Sequence, residues 1–123
     1  MTEKILIVGG VAGGMSAATR LRRLNEKAEI IVFEKGPYVS FANCGLPYYV
    51  GGEIAEREKL IVQSAKALKT RFNLEVRENS EVIAIDSEGK KVTVVSNGES
   101  YVESYDKLIL SPGAKPLIPQ IKG

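Results

Sequence analysis

The most reactive side chain of the sequence lies in Ser40–Tyr48, which reads Ser-Phe-Ala-Asn-Cys-Gly-Leu-Pro-Tyr and is called the cysteine segment below. A helix that begins near Gly45 or Leu46, with Pro47 in its first turn, would place the sulfur of Cys44 at a helix N-terminus. The helix dipole there favours the thiolate, which is the nucleophilic form. The alternative is an inert cysteine buried as a small hydrophobic residue, and from composition alone this is the more frequent case. Cys44 is therefore a candidate redox nucleophile.

Residues 9–14 form a glycine-rich stretch, called the glycine turn below, directly after the first apolar run of the chain. In a dinucleotide-binding fold the first glycine of such a turn permits a tight bend, the second lets the backbone approach a pyrophosphate, and the third packs the next helix on the strand. These positions are Gly9, Val11 and Gly14, so valine replaces the middle glycine. The predicted phosphate-binding residues are Gly9, Gly10, Val11, Ala12, Gly13 and Gly14.

An acidic residue stands where a dinucleotide-binding fold needs one. Glu34 follows a second apolar run, Glu29–Phe33, and lies 25 residues after Gly9. At a strand end beside the glycine turn, its carboxylate can accept hydrogen bonds from both hydroxyls of an adenosine ribose. The run Lys4–Val8, the glycine turn, a helix over Met15–Asn25 and this second run form a βαβ unit. A merely structural turn followed by a surface glutamate is the alternative, and the complete unit disfavours it.

The first helix and the segment after the second strand complete the first half of the scaffold. Ala17, Leu21 and Leu24 recur at helical spacing, which predicts that they form the buried stripe of the helix. Residues 36–52 carry four glycines and two prolines. This composition predicts an irregular, ordered segment that holds at most a short helix.

The second half of the chain predicts one helix followed by strands. Ser64 is the predicted N-cap of a helix that ends near Phe72, with Ala65, Leu68 and Phe72 facing inward. Alternation with period two and two hairpin signals then predict an antiparallel meander, followed by a last buried strand. The predicted strands are Glu81–Asp86, Lys91–Val95, Tyr101–Tyr105 and Lys107–Leu110. The predicted fold is α/β, a Rossmann-like parallel sheet with an inserted three-stranded antiparallel meander.

Composition excludes several classes of function. The 123 residues suffice for one domain, and 44% hydrophobic with 26% charged residues predicts a soluble, folded chain. The absence of histidine excludes Ser-His-Asp and Cys-His catalysis within the chain, and a single cysteine excludes cysteine-rich zinc sites, so no metal is predicted. The net charge of +2 does not favour nucleic acid. The apolar run Ile5–Val8 is too short for a signal or membrane segment, which predicts a cytoplasmic protein with no membrane partner.

Together, these motifs resemble those of a known family. The glycine turn, Phe33-Glu34-Lys35, the cysteine segment and Ser104–Gly113 are similar to the flavin-dependent pyridine nucleotide-disulfide oxidoreductases. The resemblance covers essentially the whole chain and is strongest to the single-cysteine branch, which contains coenzyme A disulfide reductase, coenzyme A persulfide or polysulfide reductase, and NADH oxidase or peroxidase. The Ser-Phe-x-x-Cys pattern is specific to that branch, and valine at position 11 is usual in its coenzyme A members.

The resemblance implies an enzyme with FAD as cofactor and NAD(P)H as co-substrate, in which the flavin passes two electrons to the sulfur of Cys44. Two-cysteine relatives carry their second cysteine at the position of Tyr49. Cys44 must therefore react with an external partner, either forming a mixed disulfide with a thiol such as coenzyme A or forming a sulfenic acid in peroxide or oxygen chemistry. The first outcome predicts a reductase of coenzyme A disulfide, persulfide or polysulfide, and the second an NADH oxidase or peroxidase. A non-catalytic nucleotide-binding module is the alternative from another class.

One face of the first helix is a candidate substrate surface. Ser16, Arg20 and Arg23 share this face at helical spacing, and two guanidiniums on one face suit phosphates. The resemblance implies that they contact the nucleotide phosphates of coenzyme A, and that Ser40 and Asn43 flank its pantetheine sulfur. An ordinary solvated basic face is the alternative.

The resemblance implies further contacts. The family's basic residue near the end of the next helix aligns with Phe72, beside Arg71, and that contact stays open. Additional residues are carried over as FAD neighbours with less specific motifs. They are Lys35, Asn43, Glu81, Val82, Ser111, Pro112 and Gly113.

The relatives are several times longer than this chain. The resemblance therefore implies that residues 1–113 are the N-terminal part of an FAD-binding domain and that residues 114–123 are a connector toward an NAD(P)-binding domain. It further implies a homodimeric whole enzyme that acts on a small-molecule disulfide or persulfide, and no NAD(P)H turnover by this chain alone. The choice between NADH and NADPH stays open.

Overall fold

The computed structural model describes residues 2–115 and 117–123. The strands are β1 (Lys4–Val8), β2 (Glu29–Phe33), β3 (Glu75–Arg77), β4 (Ser80–Asp86), β5 (Lys91–Ser96), β6 (Glu99–Ser104) and β7 (Lys107–Leu110). The helices are α1 (Ala12–Leu24), α2 (Leu46–Val50) and α3 (Ala65–Phe72), and short 3₁₀ turns span Asn43–Gly45 and Arg57–Leu60. Among the described residues, no helix combines the length and the apolar character needed to cross a membrane.

Four strands form a parallel sheet in the order β3-β2-β1-β7. β1 pairs with β2 from Lys4 opposite Glu29 and with β7 from Ile5 opposite Lys107. The α/β class and the βαβ unit predicted from the sequence are thereby confirmed. The edge strand β3 was not predicted, because three residues are too few to show a period.

Alternate side chains of β1 and β2 face two different layers, because successive residues of a strand point to opposite faces. One face packs against α1 and α3, through a core that includes Ile5, Ile7, Met15, Ala18, Ile30, Val32 and Leu68. The other face packs against the meander, where Leu6, Ile31 and Phe33 meet Val92 and Val94. Both faces of the central strands are therefore buried, which explains their unbroken apolar sequences.

The meander is the predicted three-stranded antiparallel sheet, in the order β4-β5-β6. Its second turn is the Asn97-Gly98 pair, whose φ angles of 53° and 80° are those of a type I′ hairpin turn. β4 begins at Ser80, and β6 runs from Glu99 to Ser104 rather than from Tyr101 to Tyr105. The hairpin signals thus located the strands, with their ends shifted by one or two residues.

Helix α1 begins at Ala12, three residues before the predicted start at Met15. The predicted buried stripe is wrong in one member, because Leu24 is 67% exposed. The face that packs on the sheet is instead centred on Met15, Ala18 and Arg22. Arg22 is buried because its guanidinium donates to four backbone carbonyls. These are the carbonyls of Phe72 (2.9 Å), Asn25 (3.1 Å), Glu26 (2.9 Å) and Asn73 (3.0 Å).

Helix α3 has the predicted ends and cap. The hydroxyl of Ser64 accepts a hydrogen bond from the amide of Ala67 at 3.1 Å, which satisfies one of the free amides at the start of the helix. Leu68 is buried, and Ala65 and Phe72 pack at the edge of the same core. Helix α3 therefore lies beside α1 on one face of the parallel sheet.

A charged cluster joins the parallel sheet to the meander. Arg77 of β3 donates to the Glu103 carboxylate at 2.9 Å and to the Tyr101 hydroxyl at 3.1 Å, both on β6. Lys4 of β1 is ion-paired with the same Glu103. Burial raises the pKa of Glu103, but the hydrogen bonds from Lys4 and Arg77 outweigh it, so the pKa lies below its ordinary value. The ionised carboxylate is thus the form that holds the two sheets together.

Candidate active site

The candidate site lies at the carboxyl ends of β1, β2 and β7, the edge at which open α/β sheets bind ligands. Gly9 follows β1, and Ser111 follows β7. The Gly9 amide donates to the Phe33 carbonyl at 2.8 Å, and the Ser111 amide donates to the Val8 carbonyl at 2.8 Å. Hydrogen bonds therefore hold the carboxyl ends of these three strands together at one edge of the sheet.

At two positions of the glycine turn, the backbone leaves room for no residue other than glycine. A Cβ on Gly9, whose φ is +101°, would lie 1.8 Å from the carbonyl oxygen of Ser111, and a Cβ on Gly14 would lie 1.7 Å from the carbonyl oxygen of Gly9. Both clashes are with backbone, which cannot move aside. Val11 is the N-cap of α1, and neither a side-chain cap nor an acidic residue occupies the first turn of the helix. The amides of that first turn are therefore open to an acceptor from a ligand.

Glu34 is held in place by the backbone on both sides. One carboxylate oxygen accepts from the Gly10 amide at 3.0 Å, and the other accepts from the Gly36 amide at 2.7 Å. Each oxygen keeps a lone pair for a further donor. The predicted ribose acceptor thus has a fixed orientation beside the glycine turn.

Two cavities lie along this edge and share Glu34 and Pro112 in their walls. Cavity A has a volume of about 340 Å³ and is also lined by Val11, Asn43 and Gly113. Cavity B has a volume of about 230 Å³, and its other lining residues include Gly9, Lys35, Glu81 and Val82. Nine of the residues predicted to contact the cofactor therefore line these two cavities. Of the remaining five, Ala12 lines a third cavity, and Gly10, Gly13, Gly14 and Ser111 line none of the three.

The third cavity, cavity C, has a volume of about 500 Å³ and contains the thiol. Cys44 is exposed, so the alternative of a cysteine sealed in the core is wrong. Ser16 of α1 and Ser40 of the cysteine segment line the same cavity, together with mainly apolar side chains of α1 and α3. The sequence therefore identified two of the polar side chains that share a cavity with Cys44.

The backbone of the cysteine segment is tied to two other parts of the chain. The Ser40 amide donates to the Gly10 carbonyl at 2.7 Å, and the Ala42 amide donates to the Leu60 carbonyl at 2.6 Å. Residues 43–45 form a 3₁₀ turn, and α2 begins directly after it at Leu46 with proline in its first turn. The predicted helix start is confirmed, although α2 is only five residues long.

Consecutive residues of the cysteine segment face different cavities. Asn43 lines cavity A, whereas Cys44 lines cavity C. Val11 and Phe41 line both cavities and separate them. A group bound in cavity A would therefore be the immediate neighbour of the residue that carries the thiol.

The predicted substrate residues are only partly gathered in one place. Arg20 and Arg23 are exposed on α1 but line none of cavities A, B and C, and Asn43 lines cavity A alone. Arg71 and Phe72 both line cavity C, so a cation is present there although Phe72 occupies the aligned position.

Sequence reasoning missed Arg57, which lines cavity A, and Thr19, which lines cavity C. Thr19 stands three residues after Ser16 on the same helix, so helical spacing could have identified it. Arg57 lies in a loop without periodicity, which carries no such signal. Among the residues that the structure describes, no three His, Cys, Asp or Glu side chains are grouped so that they could hold a metal ion.

Comparison with known proteins gives a consistent result. The sequence matches the pyridine nucleotide-disulphide oxidoreductase family over residues 3–123. It is 47% identical over 114 residues to coenzyme A disulfide reductase of Staphylococcus epidermidis, covering 91% of this chain and 26% of that protein. The structure is similar to reduced Bacillus anthracis CoADR-RHD, with a TM-score of 0.94 and 57% identity over 98% of this chain and 22% of that one. It is also similar to an NAD-dependent persulfide reductase from A. fulgidus, with a TM-score of 0.91 and 38% identity over 97% of this chain and 22% of that one.

These relatives show the family of the chain and the share of their length that it spans. The chain spans about a quarter of the length of the curated relative and of each of the two structures. The family match covers nearly all of its own residues. The chain belongs to the pyridine nucleotide-disulphide oxidoreductase family.

Proposed function

We propose that this chain is the FAD-binding part of an NAD(P)H-dependent flavoprotein that reduces coenzyme A disulfide, or coenzyme A persulfide or polysulfide, through Cys44. The observation that carries the proposal is the pair Asn43 and Cys44, whose members line adjacent cavities. Cavities A and B have the residues expected around a dinucleotide, and cavity C has an exposed thiol. The named relatives include a coenzyme A disulfide reductase and a persulfide reductase, which supports this substrate class.

The residues of cavities A and B fit FAD. Glu34 supplies fixed acceptors for ribose hydroxyls, and the first turn of α1 supplies open amides for a pyrophosphate. Lys35 and Glu81 line cavity B with Val82 and would border the adenosine; the Lys35 Nζ lies 3.6 Å from the Glu81 Oε1. When bound, FAD would accept hydride from NAD(P)H and supply the two electrons that reduce the mixed disulfide between Cys44 and coenzyme A, which restores the thiolate. We therefore assign residues 1–113 to the FAD-binding domain and residues 114–123 to a connector.

The chemistry of this chain's own residues is thiol–disulfide exchange. The Cys44 thiolate attacks one sulfur of coenzyme A disulfide, a new S–S bond forms, and coenzyme A leaves as a thiolate. Ser16 and Ser40 line cavity C together with Cys44 and would lie beside the reacting sulfurs. Arg20 and Arg23, exposed on the same helix as Ser16, and Arg71 in the cavity wall would bind the phosphates of the nucleotide, while Asn43 would orient the sulfur from the side of cavity A.

The whole protein extends this proposal. It would be a cytoplasmic homodimer that acts on small molecules rather than on nucleic acid or membranes, with NADH or NADPH as reductant. The relatives' length supports further domains in such an enzyme, because this chain corresponds to about a quarter of them. By itself the chain would bind FAD and exchange its thiol without consuming NAD(P)H continuously.

Mass spectrometry of the intact chain tests the proposal. After incubation with coenzyme A disulfide, we expect one coenzyme A adduct on Cys44, formed several-fold faster than an adduct with oxidised glutathione of equal concentration. The matched control is Cys44→Ser, which removes the nucleophile and should give no adduct. Flavin fluorescence should in parallel be quenched when FAD is titrated into the chain.

The alternatives predict other products. An NADH oxidase or peroxidase would give no preference for coenzyme A, and hydrogen peroxide would add one or two oxygen atoms to Cys44. A non-catalytic module would label no faster than a model thiol with a neutral alkylating agent. Either result would overturn the reductase assignment, and a chain that does not bind FAD at all would overturn the flavoprotein assignment.

A further inference from the structure

Cavity A contains a cation that no sequence motif singled out. Arg57 stands at the start of the 3₁₀ turn Arg57–Leu60 and lines cavity A, as does Val11, the N-cap of α1. It is the one Lys or Arg side chain in the wall of that cavity among the residues that the structure describes. The wall therefore combines one positive side chain with the residue at which α1 begins.

The guanidinium of Arg57 is held in position without being neutralised. Its Cζ lies 5.2 Å from the ring centroid of Tyr38, a cation–π arrangement. Tyr38 in turn stacks on Phe41, with ring centroids 6.0 Å apart and planes at 24°. Within residues 2–115 and 117–123, no carboxylate forms an ion pair with Arg57. The side chain is thus oriented by an aromatic stack and keeps its donors for another acceptor.

The backbone fixes the loop that carries Arg57. Phe41 and Ile61 form an antiparallel bridge, and the Val62 amide donates to the Ser40 carbonyl at 2.9 Å. Arg57 therefore does not sit on a free loop, because its 3₁₀ turn continues into residues paired with the cysteine segment. A charge supported in this way loses little conformational entropy when it binds an anion.

We propose that Arg57 binds the pyrophosphate of FAD in cavity A, whose wall also contains the N-cap of α1, an inference that rests on the proposed binding of FAD. The acid of the cavity, Glu34, already accepts from two backbone amides and suits the neutral ribose end of the ligand. The anionic centre of a dinucleotide then lies between open amides and a guanidinium, whose planar fork matches two phosphate oxygens. Arg57 is thereby a cofactor-binding residue in addition to those of the glycine turn.

Titration of FAD into the chain, followed by flavin fluorescence, tests the proposal. Arg57→Gln should raise the dissociation constant about tenfold or more, because a charge-assisted contact is lost. Arg57→Lys should raise it only about threefold, since the charge remains without the fork. Lys59→Gln is the matched control, an exposed cation of the same 3₁₀ turn that lines none of cavities A, B and C, and it should leave the constant unchanged.

Salt dependence distinguishes a phosphate contact from a packing effect. Between about 0.05 and 0.5 M NaCl the affinity of the unaltered chain should fall more steeply than that of Arg57→Gln, because screening weakens the ionic contact. Tyr38→Leu keeps the charge but removes both its cation–π partner and part of the wall of cavity A. It should lose about twofold to fivefold in affinity, with the salt dependence of the unaltered chain.

Three results would overturn the proposal. They are a dissociation constant of Arg57→Gln within twofold of the unaltered chain, an equal loss in Lys59→Gln, or a loss in Arg57→Gln with an unchanged salt dependence. A failure of the proposed function looks different, because the unaltered chain would then bind no FAD.

Discussion

The glycine turn and the cysteine segment lie side by side at the same edge of the sheet but are built in opposite ways. In the glycine turn, backbone approaches backbone so closely that a Cβ on Gly9 or Gly14 would overlap a carbonyl oxygen. In the cysteine segment, Cys44 is exposed, and the segment is held mainly through main-chain hydrogen bonds. The residue types of the glycine turn are required by close backbone packing. The exposed thiol of the cysteine segment is not required by packing and is free to react.

We therefore expect substitutions in the two segments to change different properties, namely stability in the glycine turn and thiol reactivity in the cysteine segment. A substitution in the glycine turn should act on the free energy of unfolding, because the clash is present with or without a ligand. A substitution at Cys44 should act on reactivity alone, because an exposed side chain contributes little to stability. Measurements of stability and of thiol reactivity on the same variants therefore test the comparison directly.

Gly14→Ala should have the largest effect on stability. The added Cβ would lie 1.7 Å from the Gly9 carbonyl oxygen, and relieving this overlap should cost about 3 kcal/mol or more, despite the gain in helix propensity. Urea denaturation measures the change. Gly13→Ala is the matched control in the same helical turn, because its Cβ would meet the Ser111 hydroxyl at 2.4 Å, and that side chain can rotate away. Equal losses in the two variants would contradict the steric account.

Glu34→Ala should have the next largest effect, because it removes the link between the glycine turn and the loop after β2. The amides of Gly10 and Gly36 both lose their acceptor, which should cost about 2–3 kcal/mol. Urea denaturation at neutral pH measures this loss, and FAD affinity should fall in parallel. Glu88→Ala, a substitution of an exposed acid in the first turn of the meander, is the control and should change stability by less than about 0.5 kcal/mol.

Glu103→Gln tests the loss of stability at a contact that lies outside both the glycine turn and the cysteine segment. The carboxylate accepts from Lys4 and Arg77, and its pKa is lowered from about 4.5 by these hydrogen bonds. A lowered pKa stabilises the fold above the pKa of the unfolded chain, and this contribution disappears as the pH falls through the folded value. Glu103→Gln should therefore cost about 1–2 kcal/mol at pH 7.

Denaturation as a function of pH checks the sign of this effect. The difference between the unaltered chain and Glu103→Gln should shrink as the pH falls below about 4.5. A difference that stays constant down to the acid transition would mean that the charge of Glu103 contributes nothing across the two sheets.

Cys44→Ser should have the smallest effect on stability and the largest on reactivity. Because the side chain is exposed, the free energy of unfolding should change by less than about 0.5 kcal/mol. Adduct formation with coenzyme A disulfide should disappear entirely in the same variant, as mass spectrometry would reveal. A large loss of stability would show that the sulfur has a packing role and would weaken the contrast with the glycine turn.

The sequence predicted those features that repeat or that obey a local rule. The βαβ unit, the Ser64 cap, the Asn97-Gly98 turn and the start of a short helix directly after the cysteine follow from periodicity, capping and turn chemistry. The burial of Arg22 in place of Leu24 could not be predicted, because the carbonyls that bind Arg22 include two at the end of α3.

The walls of the site were predictable only where a motif supplied them. Nine of the predicted cofactor residues line cavities A and B. They could be predicted because they belong to strand ends, the glycine turn or family motifs. Arg57 and Arg71 enter the cavities through long-range packing of a loop and of α3, which no local pattern records. Ser16, Arg20 and Arg23 share a helix face, as helical spacing requires, but Ser16 lines cavity C whereas Arg20 and Arg23 do not.

The position of Asn43 and Cys44 on either side of one peptide bond has a consequence for electron flow. Adjacent Cα atoms are about 3.8 Å apart, so a group bound against Asn43 in cavity A would lie next to the residue that carries the sulfur. A ligand in cavity A and a substrate in cavity C would thus be separate and yet close to each other. In the proposed enzyme, electrons would therefore pass from cavity A to the sulfur without a second protein sulfur as carrier.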